Sequence, residues 1–152
     1  MMLPRLEYLL LLCVGISACP DTWVHANELG CLFFSGEKTT WLEAALVCES
    51  MNSSMVEILS AEENGLLSLL GTLEIGLTGV DGWWVGLDDI GHEGVWTWEQ
   101  AGLAQFFHWA AGQPSTEAVN TDDCVYIVPD TNNVNNFLWV DSSCNQQVCI
   151  AF

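Results

Sequence analysis

The chain has 152 residues, and 20 aspartates and glutamates stand against two lysines and arginines, which gives a formal net charge of −18 at pH 7. This balance excludes nucleic-acid binding, because phosphate contacts need clustered Lys and Arg, and it excludes adsorption to anionic membranes. It allows the binding of cations and of basic partners.

The amino-terminal residues have the pattern of a secretory leader. Arg5 gives a positive start, a short apolar run follows, and the small residues Ser17 and Ala18 suit a cleavage site. The run is shorter than the roughly 20 apolar residues that span a bilayer. We predict a signal peptide at residues 1–18 and a secreted, extracellular domain at residues 19–152; a retained anchor is the alternative.

Six cysteines remain after the leader, and an even set in a secreted chain is typical of a disulfide framework. They are Cys19, Cys31, Cys48, Cys124, Cys144 and Cys149. Counting alone does not give their pairing. A zinc site is disfavoured, because no pair has Cys-x-x-Cys spacing.

The first predicted element is an amino-terminal hairpin. A turn at Gly30 precedes an apolar strand that ends at Phe34. This hairpin brings Cys19 and Cys31 close enough to bridge.

Two helices follow, and each begins at a capping box, in which a hydroxyl caps the first turn and a Glu reaches back. Thr40 and Glu43 begin the first helix, and Ser60 and Glu63 begin the second. A short strand at residues 55–59 separates them. Helical spacing assigns these side chains to the core: Trp41, Ala44, Ala45, Cys48 and Met51 from the first helix, and Leu66, Leu67, Leu69, Leu70 and Leu73 from the second.

From Trp83 onward, short apolar segments alternate with loops that carry carboxylates. We assign the tryptophans to the core: Trp83, Trp84, Trp96, Trp98 and Trp109, with Trp139 as core rather than a sugar-stacking platform. The order of hairpin, two helices and many strands predicts an α+β domain. Oxygen-rich loops favour a hard cation such as Ca²⁺, which takes about six to eight oxygen ligands.

No catalytic motif is recognisable in the chain. His92 and Glu93 match half of a zinc-protease helix, but the position of the second His is Trp96. His25 and His108 accompany no nucleophile motif. We predict that the protein is not an enzyme. The one N-glycosylation acceptor is Asn52, in the tripeptide Asn52-Ser53-Ser54.

Taken together, these residues resemble the C-type lectin-like domain. The matching segments are, in chain order, Cys19-Pro20, Gly30-Cys31, Trp41 with Ala44-Ala45 and Cys48, Trp84-Val85-Gly86-Leu87, Trp96-Thr97-Trp98, Gly112-Gln113-Pro114, Cys124-Val125, Trp139 with Asp141, and Cys144 with Cys149. The resemblance implies two helices with short antiparallel sheets and long loops. It also implies three disulfides: Cys19–Cys31, Cys48–Cys149 and Cys124–Cys144.

In sugar-binding members of that family, loop oxygens hold Ca²⁺ beside a cis-proline, here at Pro114, and sugar hydroxyls complete the coordination. The resemblance implies that metal and sugar share four residues: Gln113, Ser115, Asp122 and Asp141. Two ligand positions are weakened, because Ser115 offers only a hydroxyl and Val140 offers no side-chain oxygen. Asn135 and Asn136 are alternatives for the lost position.

An auxiliary calcium site is also implied by the resemblance. Its residues are Asp89, Glu93 and Asp123, and Asp122 is shared between the two sites. The alternative is that these carboxylates lie in a solvated loop and bind no metal ion. We expect weak or partial Ca²⁺ binding, with a dissociation constant of about 10⁻⁴ to 10⁻³ M.

Two functions follow. The first is a secreted lectin that binds carbohydrate or glycoconjugates through calcium, for example microbial glycans in innate immunity. The second is an acidic module of the same fold that binds protein, matrix or mineral without recognising sugar. The sequence does not determine the oligomeric state, and it is compatible with a homo-oligomer.

Overall fold

The computed structural model describes residues 19–116 and 121–152, so the predicted leader at 1–18 lies outside the described residues. Within that range the helices are α1 (Trp41–Ser50) and α2 (Ala61–Thr78). The strands are β1 (Val24–His25), β2 (Cys31–Leu32), β3 (Trp83–Asp88), β4 (Thr97–Trp98), β5 (Gly102–Leu103), β6 (Cys124–Asp130), β7 (Asn133–Ser142) and β8 (Cys149–Ile150).

The amino-terminal hairpin is present as expected. Strand β1 pairs antiparallel with β2, and Val24 lies opposite Leu32. A short 3-10 turn links them and ends at Gly30, whose φ of 78° suits glycine because it has no Cβ. The predicted Cys19–Cys31 bridge closes this unit.

Helix α1 begins as the sequence predicts. The Thr40 hydroxyl accepts the Glu43 N–H at 3.4 Å, and the Glu43 carboxylate accepts the Thr40 N–H at 3.1 Å, which completes a capping box. The second box is only half formed. Ser60 caps α2 through the Glu63 N–H at 3.2 Å, whereas the Glu63 carboxylate accepts the Leu59 N–H instead.

Several predicted core positions are wrong. Met51 is 44% exposed, because it follows the last turn of α1. Leu69 and Leu73 are 53% and 61% exposed. The reason is that the buried stripe of α2 follows Asn64, Leu67, Ser68 and Gly71, whose spacing of three and four residues places these leucines on the opposite side.

The predicted strand at residues 55–59 is not regular. Its backbone is nevertheless tied to the sheet, since the Val56 N–H donates to the Ala151 carbonyl at 3.0 Å. The Val56 carbonyl in turn accepts the Gly86 N–H at 3.0 Å. This segment therefore acts as an irregular edge of the core.

The main sheet of the described chain has the order β5-β4-β3-β6-β7, in which every neighbouring pair is antiparallel. Strand β8 joins β3 in parallel, with Cys149 opposite Trp83 and Ile150 opposite Trp84. The expected antiparallel pairing is therefore confirmed for the main sheet, and the β3–β8 pair adds one parallel contact.

Adjacent tryptophans of β3 pack on opposite faces of the sheet and join two separate core clusters. Trp83 belongs to the cluster under α2, and Trp84 belongs to the cluster under α1. Both are fully buried, and their indole N–H groups donate to the Ser35 carbonyl at 3.1 Å and the Thr39 carbonyl at 2.9 Å. Burial of the aromatic rings therefore leaves neither donor unpaired.

The core assignment of the tryptophans is largely confirmed. The buried ones are Trp83, Trp84, Trp96, Trp98 and Trp139, whereas Trp109 is half-buried. Trp139 is 0% exposed and therefore offers no free face for stacking on a sugar.

A buried polar network joins α2 to β7. The Trp139 indole N–H donates to the Asn64 side-chain oxygen at 2.9 Å, and the Asn64 amide donates to the Phe137 carbonyl at 3.2 Å. One turn later, the Ser68 hydroxyl accepts the Phe137 N–H at 2.9 Å. These bonds fix the strand that carries Asp141.

Two of the three predicted disulfides are present, Cys19–Cys31 and Cys124–Cys144. The third, Cys48–Cys149, is absent, and both thiols are buried and unbonded. Side chains alternate along β8, so Ile150 packs in the cluster that holds Cys48, whereas Cys149 points to the other face of the sheet. This register keeps the two sulfur atoms apart.

Candidate functional site

The end of β7 places one carboxylate where a core residue would normally lie. Asp141 pairs with Val125 of β6, and alternation puts it on the same face as Trp139 and Phe137. Asp141 is only 3% exposed. Because burying a charge costs free energy, this position calls for a specific partner.

The loop that covers Asp141 contains the predicted cis-proline. The Gln113–Pro114 bond is cis, as the family resemblance implied. The Gln113 N–H donates to the Ala110 carbonyl at 3.0 Å, and the Ala110 N–H donates to the Trp139 carbonyl at 2.9 Å. These bonds place the loop beside β7.

One direct bond joins this loop to the carboxylate. The Ser115 backbone N–H donates to Asp141 Oδ2 at 2.7 Å. Sequence reasoning assigned Ser115 a role through its hydroxyl, but the contact seen here is through its backbone. A backbone donor depends little on side-chain identity, so sequence comparison gives no sign of it.

A second buried carboxylate lies in the loop after β3. Asp89 is 2% exposed, and its backbone N–H donates to the Asp123 carbonyl at 3.0 Å. Its Oδ2 accepts the Gly94 N–H at 2.7 Å, and Gly94 has a φ of 76°. Gly91 and Gly94, which both disfavour a helix, are the sequence signal for this turn.

Three buried side-chain oxygens in the described residues have no hydrogen-bond partner. They are Asp89 Oδ1, Gln113 Oε1 and Asp141 Oδ1. All three are acceptors on residues that the resemblance assigned to calcium binding. Buried polar atoms are nearly always paired, so three orphaned acceptors point to a ligand that accepts electron pairs, such as a cation.

Several carboxylates lie close together in this region and affect one another's pKa values. The pKa of Asp89 is raised to about 6, mainly by burial, with smaller contributions from the Glu93, Asp123 and Asp141 carboxylates, whereas the Gly94 hydrogen bond lowers it. Burial also raises the pKa of Asp88, and Asp123 adds to the effect. A cation placed among these groups relieves both the desolvation and the mutual repulsion.

The donor set suits calcium better than a transition metal, because it consists of carboxylate and amide oxygens without thiolate or imidazole. Within residues 19–116 and 121–152, however, no three His, Cys, Asp or Glu side chains converge closely enough to hold a metal ion alone. A calcium ion here would therefore need oxygens besides these carboxylates, such as the Gln113 amide oxygen and oxygens of solvent or ligand.

The remaining predicted ligands lie near these loops. Asp122 and Asp123 immediately precede β6, both half-buried, and Glu93 is exposed beside Asp89. Val140 lies opposite Tyr126, on the other face of β7 from Asp141. Asn136 does not replace it, since its amide oxygen lies 3.0 Å from His108 Nε2. The side chain of Asn135 lies outside the described structure.

The zinc-protease pattern has no structural support. Residues 90–94 form turns, and the exposed His92 directs Nδ1 to the Glu93 carbonyl at 3.2 Å. Trp96 is buried at the position where a second His would be needed. The loop therefore lacks the pair of histidines that such a zinc site requires.

Comparison with known proteins identifies similar sequences and structures. The profile of the Lectin C-type domain family matches residues 37–150. A perlucin-like protein of Mytilus galloprovincialis is 29% identical over 134 residues, covering 88% of this chain and 80% of the relative. Lithostathine-2 of Mus musculus is 37% identical over 133 residues, covering 85% of this chain and 70% of the relative. The mouse scavenger receptor C-type lectin carbohydrate-recognition domain superposes with a TM-score of 0.72 at 26% identity, covering 88% of this chain and 95% of that domain.

The sheet, the two helices and the long loops are those of a C-type lectin fold, and the chain belongs to the C-type lectin domain family. The predicted family and fold class are thereby confirmed. Domains of this family are non-enzymatic binding modules, which confirms the prediction that the protein is not an enzyme. No helix in the described part of the chain combines the length and the apolar character needed to cross a membrane.

Proposed function

We propose that the protein is a secreted lectin whose loops bind carbohydrate through Ca²⁺, with microbial glycans as the ligand class. The observation that carries this proposal is the set of orphaned buried oxygens on Asp89, Gln113 and Asp141. Two of them lie on residues that the Ser115 backbone bond and the cis-Pro114 loop bring together.

The principal site is formed by Gln113, Ser115, Asp122 and Asp141, and these residues serve both the ion and the sugar. Asp89, Glu93 and Asp123 form the auxiliary site, which shares Asp122. Calcium would supply positive charge that neutralises the buried carboxylates, and its open coordination positions would accept vicinal hydroxyls. The chain's own residues orient the ion: the Ser115 N–H holds Oδ2 of Asp141, which leaves Oδ1 free for coordination.

The calcium affinity should be low. Val140 supplies no side-chain oxygen, and Ser115 replaces a stronger ligand, so fewer protein oxygens surround the ion. Affinity in such sites follows the number and charge of the ligands, which places the dissociation constant at about 10⁻⁴ to 10⁻³ M.

The decisive experiment is calorimetric titration of the protein with Ca²⁺, followed by passage over mannose- and galactose-agarose with EDTA elution. The test variant is Asp141→Asn, which keeps an oxygen for the Ser115 N–H but removes the charge. The matched control is Asp21→Asn, which removes the same charge from an exposed turn. The proposal expects binding and EDTA-reversible retention for wild type and control, and loss of both for Asp141→Asn.

The second candidate is an acidic module that binds matrix, mineral or basic protein without sugar. Two observations favour it: Val140 and Ser115 weaken the principal site, and Lys38 is the only Lys or Arg in residues 19–152. In the same experiment, calcium binding that survives in Asp141→Asn, without retention on either sugar, would favour this candidate. The absence of calcium binding at millimolar concentration would refute the cation site itself.

A further inference from the structure

Asn52 lies where a helix ends and the chain turns outward. It lies two residues after the end of α1, is exposed, and has a φ of 55°, in the left-handed region that asparagine tolerates. Its backbone N–H donates to the Glu49 carbonyl at 2.9 Å, while its side-chain amide makes no hydrogen bond to the described residues. The amide nitrogen is therefore free to carry a covalent group.

The two residues after Asn52 complete an acceptor for N-linked glycosylation. Ser54 provides the hydroxyl that the modification requires two positions on. The Ser53 hydroxyl has a structural role instead, because it donates to the Cys48 carbonyl at 2.9 Å and caps the end of the helix. The sequence motif thus coincides with an exposed, irregular backbone, which is where a bulky surface sugar is tolerated.

A polar groove begins at this asparagine. It has a volume of about 390 Å³ and is lined by Glu49, Asn52, Ser53, Ser54 and Gln100. These side chains offer carboxylate, hydroxyl and amide groups, which are the usual partners of sugar hydroxyls and of an N-acetyl group. The groove continues into a neighbouring cleft of about 400 Å³ that shares Ser53, Ser54 and Gln100.

We propose that Asn52 carries an N-linked oligosaccharide and that its first N-acetylglucosamine lies in the groove between the end of α1 and Gln100. The bond formed joins the Asn52 amide nitrogen to the anomeric carbon of the sugar, with a lipid pyrophosphate as the leaving group and one amide proton lost. The inference rests on the secretion included in the proposed function, but not on calcium or sugar binding.

None of the groove residues belongs to the predicted calcium ligands, so the modification leaves the candidate site accessible.

The test uses the full chain expressed in mammalian cells. Protein from the medium is treated with peptide-N-glycosidase, and the mobility shift and the conversion of Asn52 to aspartate are followed by electrophoresis and peptide mapping. Ser54→Ala removes the acceptor hydroxyl and leaves Asn52 in place. Ser53→Ala is the matched control, because it keeps the acceptor sequence. We expect one shift in wild type and Ser53→Ala and none in Ser54→Ala; an unshifted wild type, or a shift in Ser54→Ala, would overturn the site.

The groove is tested separately by amide hydrogen exchange of the segment around Gln100, in wild type and in Ser54→Ala. We expect several-fold slower exchange in the glycosylated protein, and equal rates would overturn the placement of the sugar. If unmodified chain stays inside the cells, residues 1–18 are exchanged for an established leader. Modification of that secreted form supports Asn52 and refutes only the native leader, whereas its absence refutes the site.

Discussion

The buried carboxylate of Asp89 makes the protein without calcium less stable as the pH rises. In the folded state its pKa is about 6, above its ordinary 3.8, mainly because of burial. The folded state therefore holds this proton more tightly than the unfolded chain does. Below about pH 4 the Asp89 carboxyl is protonated in both states, so it does not reduce the stability of the fold. Between pH 4 and 6 the stability falls, because the unfolded chain releases this proton first.

The size of the effect follows from the shift in the pKa. A shift from 3.8 to about 6 corresponds to at most about 3 kcal/mol, reached above pH 6, because each pKa unit is worth about 1.4 kcal/mol. Asp89→Asn should therefore stabilise the calcium-free protein at neutral pH. An asparagine keeps one oxygen for the Gly94 N–H and removes the buried charge.

Urea unfolding in EDTA measures the prediction. Between about pH 5 and about pH 7.5, the free-energy gap between Asp89→Asn and wild type should widen by roughly 1.4 kcal/mol, which is the part of the titration in that range. Taking the difference cancels the other carboxylates, and pH 5 stays above the sequence pI of about 4.1. A gap independent of pH would refute the reasoning, and so would a variant less stable than wild type throughout.

Two further predictions concern the core. Asn64→Ala should destabilise the protein by about 2 to 5 kcal/mol, because it leaves the Trp139 indole N–H and the Phe137 carbonyl buried without partners; urea unfolding measures this. Cys48 and Cys149 should react with a thiol reagent in the secreted protein only after denaturant is added, since both are buried and burial raises their thiol pKa values, that of Cys48 to about 12.

Each of these two core predictions has a control experiment. Leu69→Ala, on the exposed side of α2, should cost less than about 1 kcal/mol, whereas a core leucine would cost about 2 to 5. A large loss there, together with a small one for Asn64→Ala, would mean that α2 is rotated from its described position. For the thiols, an unfolded protein that shows none before reduction would mean that the Cys48–Cys149 bridge forms after all.

The elements with local signals were predictable from the sequence. Thr40 and Glu43 specify the start of α1 through contacts within four residues, and the hairpin closed by Cys19 and Cys31 is likewise local. The tryptophans were assigned to the core correctly because large aromatic surfaces dominate burial. Family resemblance added the cis bond at Pro114, which no local signal specifies.

The errors arose where a partner far along the chain decides the outcome. Counting leucines assigned Leu69 and Leu73 wrongly to the core, because the polar residues Asn64 and Ser68 occupy the buried stripe of α2 and bond to β7. Cys149 was paired by resemblance, whereas its side chain follows the register of β8 against β3. The contact of Ser115 with Asp141 uses a backbone group, which no residue pattern encodes, and the predicted role of the Ser115 hydroxyl stays a prediction.

At the proposed calcium site, the absence of a side-chain oxygen at Val140 would weaken calcium binding and make it more dependent on the bound sugar. Gln113 Oε1 and Asp141 Oδ1 are the orphaned acceptors of the principal loops, while calcium takes about six to eight oxygens. Ligand hydroxyls must therefore supply a larger share of the coordination. Because coupling between two ligands is reciprocal, saturating sugar should raise the calcium affinity by the same factor by which calcium raises the sugar affinity. Calcium titrations with and without sugar measure this factor, at about 5- to 150-fold for typical coupling. Equal calcium affinities in both titrations would mean that the sugar does not coordinate the ion, even if the protein binds each of them.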